Sequence, residues 1–126
     1  SLVGSEMCIR DRDKDAAVKY KEIYTPRFGD NFSVTVGGRE WIDIMNKGIN
    51  KGMAMRKIGE LLGIDTSEMM AFGDNFNDAE MLKTVYYSYI VANAQPGMEK
   101  FARFRAPSNE ERGVLQVMEQ VLAANL

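Results

Sequence analysis

The sequence predicts an α/β domain built on a parallel sheet. Short apolar runs at 68–72, 87–92 and 104–106 read as strands, and helical apolar spacings lie between and after them. The first of these runs also ends in Gly73-Asp74-Asn75-Phe76-Asn77-Asp78, an acidic, amide-rich turn. Strands that alternate with helices need crossover connections, which make neighbouring strands parallel. Sheets of this kind build their sites at the carboxyl ends of the strands.

In chain order, Ala16, Ala17, Tyr20, Ile23 and Tyr24 recur at helical spacing, with Pro26 as the expected stop. Phe32, Val34 and Val36 alternate with polar residues as a strand, Gly37-Gly38 is a two-residue hairpin signal, and 41–45 is the returning strand. A glycine-containing loop, 46–50, leads to a helix with Ala54, Ile58, Leu61 and Leu62 on its expected inner face and Gly63 as its stop. After the 68–72 strand, 77–85 reads as a helix with Leu82 and Val85 inward. A helix at 96–103 has Pro96 near its first turn. The last helix shows Val114, Leu115, Val117, Met118, Val121 and Leu122, behind a capping box at Ser108-Asn109-Glu110-Glu111. Trp41 and the methionines at 53, 55, 69, 70, 81 and 118 read as packing residues. The architecture changes within 40–50, where hairpin chemistry gives way to β-α alternation.

The 126 residues suffice for one core. Sixteen Lys and Arg against 18 Asp and Glu leave a net charge of −2, with no charge run that suggests a nucleic-acid or membrane partner. A single Cys excludes an internal disulfide and suits a reducing, cytoplasmic compartment. There is no His, so the Ser-His and Cys-His nucleophile pairs are excluded. The chemistry must then run on carboxylates, Lys and a hard metal.

Asp74, at a strand end behind Gly73, suits Mg²⁺, which takes oxygen ligands, keeps several waters and needs only one or two protein carboxylates. The competing reading is a plain turn in which Asn75 or Asn77 caps the next helix. Asn77 sits at a helix start, where amide groups and the dipole favour a phosphate. Asp78 is either a first-turn acid or a group that orients Lys51 or a metal-bound water. Lys51 opens a helix, where a cation is misplaced unless it pairs with a phosphate and a carboxylate. Lys47-Gly48 repeats the Lys51-Gly52 dipeptide, so spacing alone does not choose between the two lysines. A calcium EF-hand loop is excluded, because Phe76 and Ala79 stand where a polar ligand and Gly belong.

Residues 1–12, SLVGSEMCIRDR, follow neither period and hold the only Cys. They resemble the translated read-through of a sequencing adapter, a scar to be set aside before the fold is read. Residue 13 is then expected to be an interior position of a longer protein.

Four landmarks occur in order between Trp41 and Leu122: Gly-Ile-Asn-Lys51-Gly, Ala-Phe-Gly-Asp74-Asn-Phe-Asn77-Asp78-Ala-Glu-Met-Leu, Val-Ala-Asn-Ala, and Ser-Asn-Glu-Glu-Arg-Gly113-Val. The series resembles the Cof-like branch of the haloacid dehalogenase superfamily. That resemblance implies the C-terminal half of a Rossmann-like parallel sheet with flanking helices, preceded by the tail of an α+β cap domain. The corresponding domains are 13–40 for the cap remnant and 41–126 for the core. It further implies a phosphatase acting on a small phosphorylated metabolite through an aspartyl-phosphate, with a second Asp as general acid and base. Asp74 would be the Mg²⁺ ligand, Lys51 and Asn77 would hold the phosphate, and Asp78 would support them.

The family's nucleophile motif, Asp-x-Asp-Gly-Thr, is absent, as is its phosphate-binding Ser/Thr segment. Asp11-Arg12-Asp13 has the spacing without the context. The chain alone is therefore expected to be inactive, and its missing first strand to leave an open sheet edge. Two alternatives are a non-catalytic domain binding Mg²⁺ or phosphate, and the phosphorylation domain of a P-type pump. Against the pump stand Glu80-Met81-Leu82, the later Val-Ala-Asn-Ala and the lack of apolar spans.

Overall fold

The computed structural model describes residues 7–10, 16–38 and 40–125. Ser1 to Glu6 and 11–15, which include much of the expected scar and the Asp11-Arg12-Asp13 spacing, lie outside the described residues. Two three-stranded sheets organise the described chain. The first holds β1 (Met7–Arg10), β2 (Phe32–Val36) and β3 (Trp41–Asn46), all antiparallel, in the order β1-β3-β2. The strand Met7–Arg10 falls within the segment expected to be foreign, and it pairs with β3 from Trp41 to Ile44. The small sheet ends at Asn46, so the change of architecture falls at 47–50.

The second sheet holds β4 (Met70–Gly73), β5 (Tyr87–Val91) and β6 (Phe104–Ala106), parallel and in sequence order. This is the predicted parallel sheet with flanking helices. One face carries Ala71, Ser88 and Ile90, all buried, and α4 (Ala79–Thr84) covers it with Leu82. Met69, Ala71 and Val85 form one apolar cluster with Met55 and Met81 against it. Leu82, Ile90 and Met98 form another. The opposite face stacks Phe72 on Tyr89 and Tyr89 on Phe104, each pair 5.1 Å apart. Among the described residues β4 has a strand partner on one side only.

Several expectations need correction. The N-terminal helical segment does not stop at Pro26. Helix α1 (Ala16–Lys19) passes through a π-helical turn, Tyr20–Tyr24, into α2 (Thr25–Phe28), with Pro26 in the first turn of α2. Neither Gly37 nor Gly38 has the positive φ of a two-residue hairpin turn. The Gly37 N–H instead donates to Trp41 O across a longer loop.

Helix α3 (Lys51–Leu62) turns the expected inner face outward: Ile58, Leu61 and Leu62 are 47%, 75% and 66% exposed, while Gly52 and Gly59 are buried. Its bare glycine side makes the closest contacts, and bulky residues are excluded from that side. Residues 96–103 make only a 3₁₀ turn, Met98–Phe101, because Gly97 enters it at φ 91°. The Ser108 box caps a short 3₁₀ turn, Asn109–Glu111, rather than the last helix, α5 (Gly113–Ala124), which follows it. Trp41 is 41% exposed rather than core. Of the methionines read as packing, Met69 is buried, whereas Met53 and Met118 are exposed.

Candidate active site

The site forms where β4 ends. A Cβ on Gly73 would lie 2.7 Å from Asp78 Cβ and 3.1 Å from Leu82 Cδ1, so only glycine lets the turn close against α4. The chain then folds into the 3₁₀ turn Phe76–Asp78, with Asn75 as its cap. The side chain of Asn75 accepts from Phe76 N at 2.8 Å, which assigns the capping role to Asn75 and not to Asn77. The amide of Asn77 has no hydrogen-bond partner among the described residues, and Asn77 lines the neighbouring cavity.

Asp78 is the centre of the turn. Its side chain is 6% exposed, and its Oδ2 accepts from Asp74 N at 3.0 Å and from Asn75 N at 3.4 Å. Its other oxygen accepts from Lys51 Nζ at 2.5 Å. Asp78 thus ties the strand end to Lys51 at the start of α3.

Asn50 caps α3 by accepting from Met53 N at 2.9 Å, which places Lys51 at the first helical position. The two lysines reach different partners. Lys47 Nζ donates to Gly29 O at 2.7 Å, while Lys51 reaches the turn. Gly52 explains how. A Cβ there would lie 2.5 Å from Glu80 O and 2.8 Å from Thr84 Oγ1, so α3 and α4 touch backbone to backbone at this point.

Asp74 is exposed, and its backbone carbonyl accepts from Gln95 N at 2.8 Å, fixing the strand end against the next loop. Its carboxyl is held above the ordinary carboxylate range. Partial burial is the main cause, followed by the negative charge and hydrogen bonding of Asp78, with Lys51 acting in the opposite sense. No cluster of three or more His, Cys, Asp or Glu side chains gathers among the described residues. Both oxygens of Asp78 are engaged, so Asp74 is the carboxylate of this turn open to a cation. One carboxylate completed by waters and phosphate oxygens fits Mg²⁺ and does not fit zinc or calcium.

A cavity of about 540 Å³ lies beside the turn, between α3 and the small sheet. Lys51, Asn77 and Glu80 line one side, and Ser33, Thr35 and Asp43 the other. Asp74 is not among its lining residues, so the cavity adjoins Lys51 and Asn77 and lies to one side of Asp74. The structure brings Lys51 and Asp78 into contact, with Asp74 and Asn77 on the same turn. Sequence reasoning missed Ser33, Thr35 and Asp43; their alternation on paired strands was the available signal.

The sequence profile of the haloacid dehalogenase-like hydrolases matches residues 5–118. A 5-amino-6-(5-phospho-D-ribitylamino)uracil phosphatase, YbjI of Escherichia coli, is 40% identical over 85 residues, 68% of this chain and 31% of that protein. A phosphoglycolate phosphatase of Methanothrix thermoacetophila is 33% identical over 119 residues, 94% of this chain and 51% of that protein. The chain thus spans about a third to a half of the length of these curated relatives. Among solved structures, SMU.1108c of Streptococcus mutans superposes with a TM-score of 0.82 at 35% identity, covering 94% of this chain and 44% of that one. A HAD/COF-like hydrolase of Plasmodium vivax reaches 0.85 at 18% identity, covering 94% and 42%, and shares the fold.

Proposed function

The chain belongs to the haloacid dehalogenase-like hydrolase family, and on that premise we propose that it carries half of a Mg²⁺-dependent phosphatase site. The single observation that carries the reading is the Lys51–Asp78 contact. It brings an ammonium to the turn that presents Asn77, and it leaves Asp74 exposed for the metal.

Lys51 and Asn77 hold the phosphate of a small-metabolite monoester. Lys51 offsets its negative charge, and Asn77 donates to an oxygen. Asp78 keeps the ammonium in place. Mg²⁺, when bound at Asp74, supplies Lewis-acid stabilisation of charge on the transferring phosphoryl group. The protein's share of such a reaction is mainly positioning and electrostatics. In the whole protein the phosphoryl group passes to an Asp outside this chain, forming an aspartyl-phosphate that water then opens. The chain alone binds and does not turn over.

The same proposal takes residues 1–12 as non-native and, because β3 pairs with β2 in the small sheet, moves the division from residue 41 to 47, with 13–46 as the cap remnant and 47–126 as core, in a cytoplasmic protein. No helix among the described residues is long and apolar enough to cross a membrane. Sequencing the source DNA upstream of the Asp13 codon tests the division. An open frame reaching Asp-x-Asp-Gly-Thr supports it, and a genomic origin for SLVGSEMCIRDR overturns it.

The phosphate site is tested by calorimetric titration of the chain with inorganic phosphate in MgCl₂, together with Lys51→Met and Asn77→Leu. Binding that both variants weaken is expected. Equal binding by all three chains would remove the phosphate role, and hydrolysis of p-nitrophenyl phosphate by the chain would remove the claim that it is inactive alone.

A further inference from the structure

The wall of the cavity facing Lys51 and Asn77 has a chemistry of its own. In the β2–β3 register Thr35 stands directly opposite Asp43, and Ser33 lies two residues along β2. Side chains repeat on one sheet face with period two, so Ser33, Thr35 and Asp43 share a face. All three are half-buried and line the cavity. The Asp43 carboxylate has no ion-pair or hydrogen-bond partner among the described residues. Gly37 makes room for it, since a Cβ there would lie 2.6 Å from Asp43 Oδ2. The other charged side chains on the cavity are engaged elsewhere: Lys47 by Gly29 O, Lys51 by Asp78, and Glu80 by Lys83 at 2.8 Å.

We propose that Thr35 and Asp43 determine specificity, selecting phosphomonoesters whose far end carries hydroxyl donors and rejecting those that end in a carboxylate. The inference rests on the phosphatase reading, because Lys51 and Asn77 must hold the phosphate for the far end to reach this wall. A cavity of about 540 Å³ falls within the range of small-ligand sites, roughly 300–1,000 Å³, and leaves room beyond a phosphate group. An ionised carboxylate only accepts hydrogen bonds, so Asp43 needs donors, which a chain of hydroxyls supplies. The Thr35 hydroxyl can donate or accept, which lets it bridge a neighbouring hydroxyl of the same ligand. A carboxylated ligand would meet Asp43 charge against charge, with both lysines among the described cavity-lining residues engaged elsewhere. Such like-charge contact is an effective way to exclude a wrong partner.

The test is calorimetric titration of the chain in MgCl₂ with inorganic phosphate, sorbitol 6-phosphate and phosphoglycolate, repeated with Asp43→Asn and Thr35→Val. Both substitutions keep size and shape, and thermal melts confirm folding. Wild type is expected to bind sorbitol 6-phosphate about tenfold tighter than phosphoglycolate, the scale of one hydrogen bond to a charged group. Asp43→Asn should weaken the polyol ester and tighten the carboxylated one, leaving inorganic phosphate unchanged. Thr35→Val should weaken the polyol ester alone. An unchanged preference in both variants, with phosphate still bound through Lys51, would overturn the specificity claim and leave the phosphatase reading standing. Absence of phosphate binding by the wild type would overturn both.

Discussion

In an exposed helix, replacing glycine with alanine adds about 1 kcal/mol of stability through backbone entropy. At Gly52 the opposite is expected. The new methyl would sit 2.5 Å from Glu80 O, 2.7 Å from Glu80 C and 2.8 Å from Thr84 Oγ1. Ordinary contact needs roughly 3.5 Å, so α3 must retreat from α4 by about 1 Å. Overpacking of this kind costs about 1–3 kcal/mol, which outweighs the helix gain and leaves a net loss near 1 kcal/mol. For a chain of this size that is a melting-point drop of about 4 °C. The larger consequence is functional. Lys51 moves with the helix, while Asn77 and Asp78 stay with the turn. Losing one charge-assisted contact to phosphate costs about 1.5–3 kcal/mol, roughly tenfold or more in affinity. Circular dichroism melts and phosphate calorimetry read the two effects. Arg56→Gly, exposed on the same helix, should lose about 1 kcal/mol with phosphate affinity unchanged. A Gly52→Ala chain that melts above wild type, or binds phosphate equally well, would refute the close-contact argument.

Asp78→Ala should cost about 3 kcal/mol, because the amides of Asp74 and Asn75 lose their acceptor and Lys51 its partner. Lys51→Met should cost only about 1 kcal/mol, since that side chain is 50% exposed and Asp78 keeps its backbone donors; chemical denaturation compares the pair. Asp74→Asn should raise the melting temperature at neutral pH in metal-free buffer, because the folded state disfavours the ionised carboxyl. The sign follows from linkage: a raised folded-state pKa favours the fold at low pH, and that stability is lost as pH rises through the raised value. The variant should therefore show a flatter melting profile with pH, and a profile parallel to wild type would count against it. The open side of β4 should promote self-association as concentration rises, measured by light scattering, and a strict monomer at all concentrations would contradict this.

The parallel sheet was legible because its strands are short apolar runs closed by turns, and the turn at Asp74 because its residue types are too costly to bury without a purpose. The orientation of α3 was not. Periodicity finds an apolar stripe but cannot tell that the contact side is the one with Gly52 and Gly59, where the absence of side chains is the signal. The helix at 96–103 failed for a backbone reason, the positive φ of Gly97, which composition does not display. Pro26 was read as a stop because the π-helical turn before it leaves no mark on apolar spacing. Thr35 and Asp43 were passed over because a polar residue on an alternating strand ordinarily faces water. Only the pairing of β2 with β3 and the position of α3 show that theirs faces a cavity.

The central claim is that Asp74 brings a metal to a phosphate held by Lys51 and Asn77. The most direct measurement is the affinity of the chain for inorganic phosphate as MgCl₂ is raised, in wild type and in Asp74→Asn. The account predicts that Mg²⁺ tightens phosphate binding in wild type and has no effect in the variant. Equal magnesium dependence in both chains would contradict it.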